Sequence, residues 1–185
     1  MKIYCLRHGL TELNKQKKVN GEIDEPISPE GIEQAKAAIS LIPKEVKYIY
    51  TSPMLRARQT AKIINSKLQH SLSIAENLTE IRMGSFAGKA WTDLEGGEEL
   101  KHKHRSIQFN YQPQGGESAQ DVIKRVLEFV KKIKASHDDQ EVLIVTHGGI
   151  IRTFHFLEHG EKIANNIEHT ALHQFDLDKI LKSNS

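Results

Sequence analysis

The chain has almost no sulfur chemistry available to it, and that shortage closes several classes of function. Cys5 is the only cysteine among 185 residues, so neither an internal disulfide nor a thiolate-rich metal site can form. It falls inside an apolar run, where a thiol acts as a small buried hydrophobe rather than a nucleophile. No apolar stretch approaches the roughly 18 residues of a membrane span. The formal net charge is only +2, and no basic stretch is interleaved with aromatics, which removes the usual signature of a nucleic-acid binder. A Walker sequence is missing, so any phosphate site here is not a P-loop. No secretory signal precedes the first apolar run, and a cytoplasmic, reducing setting is the expectation. Repeats, linkers and low-complexity segments are absent, and nothing in the sequence sets an oligomeric state.

What is present fits one domain spanning residues 1–185. A chain of this length buries roughly 70% of its unfolded surface. Apolar runs and helical patterns alternate. Strands are expected near residues 2–7, 46–51, 71–75, 141–146 and 170–177. Helices are expected from Ser28-Pro29 to Pro43, from Arg56 onward with Ala57, Ala61, Ile64 and Leu68 on one face, from 118 to 134 and from 150 to 157. Ser28 is a good N-cap and Pro29 suits the first helical position, with Ile32, Ala35, Ala38, Ile39 and Ile42 at helical spacing. Such alternation predicts a mostly parallel sheet with helices on both faces, and the last strand at an edge. Residues 77–118 are irregular, hold the single Trp91, and read as a lid with one or two short helices. Long irregular stretches in compact domains are often functional.

Three strand ends carry chemistry. In LRHGLTELN (Leu6 to Asn14) an apolar run delivers Arg7 and His8 to the carboxyl edge of a strand, where open α/β sheets bind ligands. A planar guanidinium holds phosphate oxygens in a fork, and a neutral imidazole can attack phosphorus. VLIVTHGG (Val142 to Gly149) repeats the design with His147 and Gly148. If the two strands are neighbours, both histidines converge. TSPMLRARQTA (Thr51 to Ala61) sets Arg56 at a helix start, which itself favours anions.

These segments, with Leu78-Thr79-Glu80 and the GGES of Gly115 to Ser118, resemble the histidine phosphatase superfamily, in its phosphoglycerate-mutase-like phosphatase branch. They occur in that family's order from residue 3 to about residue 153. The resemblance implies a three-layer α/β/α sandwich whose edge strand can be antiparallel. It assigns His8 as the nucleophile of a phosphohistidine mechanism. Arg7, Arg56 and His147 would clamp the phosphoryl oxygens, with Asn14 also contacting phosphate. Asn20 and Gly21 would border the pocket, and Gly148 falls in the same phosphate-binding run as His147. Glu80 becomes the general acid, where without the resemblance it reads as a surface loop residue.

The implied activity is metal-independent hydrolysis of small-molecule phosphate monoesters, with no cofactor and no metal. The alternatives are a phosphoglycerate mutase and a non-catalytic phosphate-binding module. The stretch MGSFAGKAW after the acid is shorter than the basic insert of the mutases, and Phe86-Ala87-Gly88 replaces the Trp-Glu-Gly many members carry. His155 and His159, four apart on a predicted helix, lack partners for a metal, and the run Lys101 to Arg105 reads as a solvated face, with attraction of an anionic substrate as the alternative.

Overall fold

A computed structural model describes residues 1–137 and 140–184. Among them, β1 (Lys2–Arg7), β2 (Val46–Thr51), β3 (Ser71–Ile74), β4 (Glu141–Thr146) and β5 (Leu172–Asp176) form one sheet in the order β3-β2-β4-β1-β5. All pairs are parallel except β5, which runs antiparallel to β1 at the edge. The helices are α1 (Glu12–Lys15), α2 (Pro29–Ala38), α3 (Leu55–Leu68), α4 (Gly97–Arg105), α5 (Ala119–His137), α6 (Gly148–His159) and α7 (Leu177–Ser183).

Strand alternation splits the core in two. Ile3 and Cys5 of β1 and Val142 and Ile144 of β4 face α5, α6 and α7. Tyr4, Leu6, Leu143 and Val145 face the other way, onto α2 and α3. Side chains alternate across a strand, so these central strands, apolar on both faces, serve two helical layers at once. The result is the expected three-layer sandwich. No helix of the described residues is long and apolar enough to cross a membrane.

The structure corrects several boundaries. Ser28 does cap α2, accepting from the Gly31 N–H, but the helix ends at Ala38 and a 3-10 turn (Ile39–Leu41) follows before Pro43. Ile32 is 36% exposed rather than inward. The buried stripe keeps Ala35 and Ala38 as expected but has Gly31 in place of Ile32, because Gly31 packs directly on the backbone of Gly9 and Leu10. α6 begins at Gly148, directly after His147. Two helices have no announcing pattern in the sequence: α1, a single turn capped by Thr11, and α7, whose Leu177 and Ile180 complete the first core.

Segment 77–118 folds as α4 plus several 3-10 turns. It is fastened at two points. Glu22 accepts from the N–H groups of Met83 and Gly84 at 2.9 and 2.8 Å. Glu117, nearly buried, accepts from Arg125 Nε at 3.0 Å and from the Arg82 N–H at 2.9 Å. Arg125 in turn donates to the Asn77 carbonyl at 2.6 Å.

Candidate active site

Pairing of β1 with β4 sets Arg7 opposite Thr146, so the next residues, His8 and His147, leave the same sheet edge side by side. Their ring centroids are 5.1 Å apart. The glycine after His8 has a physical reason: a Cβ on Gly9 would lie 2.5 Å from the Gly31 carbonyl oxygen, closer than atoms pack.

Hydrogen bonds fix what each ring nitrogen offers. His8 Nδ1 lies 2.8 Å from the Gly9 carbonyl. A carbonyl only accepts, so Nδ1 carries the proton and Nε2 carries the lone pair. His147 Nε2 lies 2.7 Å from the Ser52 hydroxyl, which also accepts from the Met54 N–H at 3.3 Å. If the hydroxyl gives its proton to Nε2, the ring proton sits on Nδ1, a buried atom with no partner among the described residues. An unpaired N–H at that point suits an anionic oxygen.

Electrostatics favour the same state. Burial, and then the positive charges of Arg56 and Arg7 nearby, push the proton affinity of His8 well below the ordinary imidazole value. His147 is lowered in the same sense by burial and Arg56. Both rings are neutral at pH 7, which a nucleophilic His8 requires. Burial also draws Arg7 down to about 10, still fully charged at neutral pH.

Each residue expected at the site can be placed. Arg7 donates to the Ile167 carbonyl at 2.5 Å and keeps a buried, unpartnered Nε. Arg56, fully buried at the start of α3, donates to the carbonyls of Ile23 and Gly21 at 2.7 and 3.0 Å, and its Nε is likewise unpartnered. Asn14 donates to Asn20 Oδ1 at 2.5 Å and holds its own Oδ1 buried without a partner. Gly148 opens α6, and a Cβ there would touch the Arg7 guanidinium. Glu80 accepts from the Ile81 N–H at 2.9 Å and from the Gly149 N–H at 3.4 Å.

A cavity of about 400 Å³ is lined by Arg7, His8, Asn14, Asn20, Gly21, Glu80 and Gly148, together with further residues of segment 77–118. Arg56 and His147 are not on its open wall; they lie fully buried. His8 itself is only 2% exposed, so the inner end is closed tightly around the nucleophile.

Sequence reasoning missed four participants. His169 places its ring 5.4 Å from that of His8 and donates from Nδ1 to the His8 carbonyl at 3.1 Å. Burial and Arg7 lower it to about 4. The turn that delivers it has Thr170 at φ +57°, a costly conformation for a β-branched residue and of the kind stored at functional sites. Ser52 and Glu22 act through others. Arg152 joins the cavity wall from α6. The TSPM of Thr51 to Met54 contained Ser52 all along; His169 lies in a loop without any pattern.

The run Lys101 to Arg105 also needs correction. Lys101, His104 and Arg105 line the cavity, while His102 and Lys103 face solvent. One face of α4 is therefore a pocket wall, as the i, i+3, i+4 spacing of a helix allows. His155 and His159 bring their rings to 4.5 Å, and among the described residues no group of three or more His, Cys, Asp or Glu could hold a metal ion.

Two neutral imidazoles, two buried guanidiniums and a hydrogen-bonded carboxylate thus meet at the carboxyl edge of the sheet. The chain belongs to the histidine phosphatase superfamily, whose branch 1 model matches residues 3–179. It is 34% identical over 152 residues to a protein of Hydrogenobacter thermophilus provisionally named phosphoserine phosphatase 2, covering 81% of this chain and 74% of that one. Over 162 residues it is 30% identical to the metal-independent phosphoserine phosphatase of Arabidopsis thaliana, covering 83% of this chain and 66% of that one. A crystal structure of TTHB049 from Thermus thermophilus matches with a TM-score of 0.78 at 26% identity, covering 95% and 94% of the two chains. The chain is accordingly a phosphoric monoester hydrolase of this superfamily.

Proposed function

We propose that the enzyme hydrolyses small-molecule phosphate monoesters without a metal ion, through a phosphohistidine on Nε2 of His8. The observation that carries this reading is the 2.8 Å contact of His8 Nδ1 with the Gly9 carbonyl. It leaves a neutral ring with its lone pair on the nitrogen that must attack. In the first step Nε2 bonds to phosphorus as the ester P–O bond breaks, and Glu80 gives the leaving oxygen its proton. In the second, water attacks phosphorus, Glu80 takes the water's proton, and orthophosphate departs as the P–N bond breaks. Covalent catalysis of this kind divides one hard displacement into two easier ones.

Charge on the transferring group is met by the protein itself. Arg7, Arg56 and the Nδ1–H of His147 hold the equatorial oxygens, and Asn14, Asn20, Gly21 and Gly148 shape the rim. Phosphoryl transfer depends on such positioning and charge stabilisation. The likeness to an enzyme named as metal-independent supports the absence of a metal requirement. A single buried thiol, Cys5, supports a cytoplasmic setting.

Replacing His8 with Ala should abolish hydrolysis of p-nitrophenyl phosphate, and EDTA should leave the wild-type rate unchanged. Activity surviving in His8→Ala would remove the mechanism; loss of activity with EDTA would remove metal independence. Supplied with 3-phosphoglycerate and its bisphosphate primer, the enzyme should release orthophosphate and form no 2-phosphoglycerate. Formation of 2-phosphoglycerate would establish the mutase instead.

A further inference from the structure

Resting on the hydrolase reading, we propose that Thr60 and His169 are positioning residues. They pin the peptide group joining His8 to Gly9 from both ends, and that pin aims the nucleophilic Nε2 at phosphorus.

The backbone ladder stops just before this peptide. The His8 N–H still donates to the Thr146 carbonyl at 2.9 Å, and the Arg7 carbonyl still accepts from the Thr170 N–H at 3.0 Å. The next peptide, the His8 carbonyl with the Gly9 N–H, has no backbone partner among the described residues. Both residues are buried, so each polar group needs a partner. Side chains supply them. The Gly9 N–H donates to Thr60 Oγ1 at 3.0 Å, and the His8 carbonyl accepts from His169 Nδ1 at 3.1 Å. Thr60 comes from α3 and His169 from the turn before β5, so two elements far apart in the chain hold one planar unit.

Each pin has a determined polarity. Thr60 Oγ1 gives its single proton to the Arg56 carbonyl at 2.8 Å, which leaves its lone pairs for the Gly9 N–H. His169 carries its proton on Nδ1, because a carbonyl only accepts. Burial and the Arg7 charge lower this ring to about 4, so it is neutral at pH 7 and its Nε2 is a lone pair.

The pin matters because a glycine follows the nucleophile. Without a Cβ, Gly9 restrains its flanking peptides least of all residues. A swing of the His8–Gly9 peptide would carry the Gly9 carbonyl away from His8 Nδ1, breaking the 2.8 Å contact that leaves the lone pair on Nε2. Only glycine fits, since an added Cβ would come within 2.5 Å of the Gly31 carbonyl oxygen. Close packing thus demands the flexible residue, and the two side chains restore the rigidity it lacks. A nucleophile about 1 Å out of place can cost about a hundredfold in rate.

Thr60→Val and His169→Ala should each lower kcat/KM for p-nitrophenyl phosphate about ten- to a hundredfold, while Ki for orthophosphate stays within about twofold. In the double variant the loss should be smaller than the product of the single losses, because both side chains act on one peptide. Thr60→Ser, which keeps the hydroxyl, should recover most of its loss. Asn at position 169 places an N–H donor at the bond distance of Nδ1, and Gln places one at that of Nε2. Rescue by His169→Asn and not by His169→Gln is expected. Rescue by Gln alone would assign His169, which lines the cavity, to substrate contact and overturn the proposal. Losses that multiply, a Ki that rises in step with them, or full activity in both single variants would overturn it too.

Imidazole nitrogen-15 spectra of the resting enzyme read the pin without turnover, and so separate its failure from failure of the hydrolase reading. Wild-type His8 should show one tautomer, with its Nδ1–H protected from exchange with water. Thr60→Val and His169→Ala should lose that protection. An unprotected wild-type ring, or spectra unchanged in both variants, would overturn the pin in an active enzyme. A protected ring in a protein without hydrolase activity would remove the hydrolase reading and leave the pin standing.

Discussion

The Ser52 hydroxyl, at the end of β2, lies 2.7 Å from Nε2 of His147, at the end of β4. This buried contact couples the direction of the hydroxyl to the position of the proton on His147. With the hydroxyl proton directed to Nε2, the Nδ1–H is free to meet phosphate. Ser52→Ala removes that direction without touching substrate. The expected outcome is a fall in kcat of about ten- to a hundredfold, the scale of losing one preorganised donor. Ser52→Thr should recover part of it. Circular dichroism should be native in both. Full activity in Ser52→Ala would show that His147 needs no such support.

Gly149 stands against the acid. A Cβ at this position would lie 2.5 Å from Glu80 Oε1 and from Ile81 Cδ1. Gly149→Ala must therefore displace the carboxylate, the isoleucine or α6 itself. A misplacement of about 1 Å at a reacting group can cost about a hundredfold. We expect kcat for p-nitrophenyl phosphate to drop at least about tenfold in a folded protein. Gly148→Ala, whose Cβ would meet only ordinary contacts with Arg7 at 3.6 Å and beyond, should be far milder. Equal effects would argue against steric displacement of Glu80.

Much of this site was legible because strand ends announce it. An apolar run followed by Arg-His-Gly or Thr-His-Gly states both the element and the edge, and two neighbouring parallel strands do the rest. His8 and His147 therefore meet where the sequence put them. The first turn of α2 was less legible: it buries Gly31 rather than Ile32, since close backbone approach selects glycine and hydrophobicity patterns ignore it. The lid was least legible. Whether Lys101 and Arg105 face solvent or the cavity depends on where α4 docks, through ring contacts of His104 with Trp91, Phe109 and Tyr111 that no local pattern encodes. His169 was invisible for a related reason, since a tertiary turn between α6 and β5 delivers it.

Acid should destabilise the fold earlier than carboxylate titration alone would. His8, His147, His104 and His169 all have their proton affinity lowered by burial in the folded chain. Unfolded, each titrates near 6.5. Below about pH 6.5 the unfolded chain therefore binds protons that the folded chain refuses, and stability falls. It is fully present above that value and continues to fall to about 4, where His104 and His169 protonate in the folded state. Each such group contributes a slope of up to about 1.4 kcal/mol per pH unit. Urea midpoints at pH 7.5 and 5.0 should differ clearly; equal midpoints would contradict the neutral, buried state of these rings.

The attachment of segment 77–118 rests on a nearly buried ion pair. Glu117 and Arg125 are 8% and 16% exposed and meet at 3.0 Å. Arg125→Met leaves the carboxylate with the Arg82 N–H and the exposed Arg82 guanidinium 3.9 Å away, and breaking such a pair costs about 3 kcal/mol. Adding Glu117→Gln removes the stranded charge and should recover part of the loss. Urea unfolding of the single and double variants measures both. A double variant no more stable than Arg125→Met would show that charge burial is not the cause.

The covalent step on His8 is tested most directly by trapping it. Glu80→Gln should slow the second step enough for the phosphoryl group to accumulate during turnover of p-nitrophenyl phosphate. After rapid alkaline quench, digestion and mass spectrometry, a mass increase of one phosphoryl group is predicted on the peptide containing His8, acid-labile and base-stable. A hydrolytically active enzyme with no such adduct, or with the phosphoryl group on another residue, would contradict the mechanism.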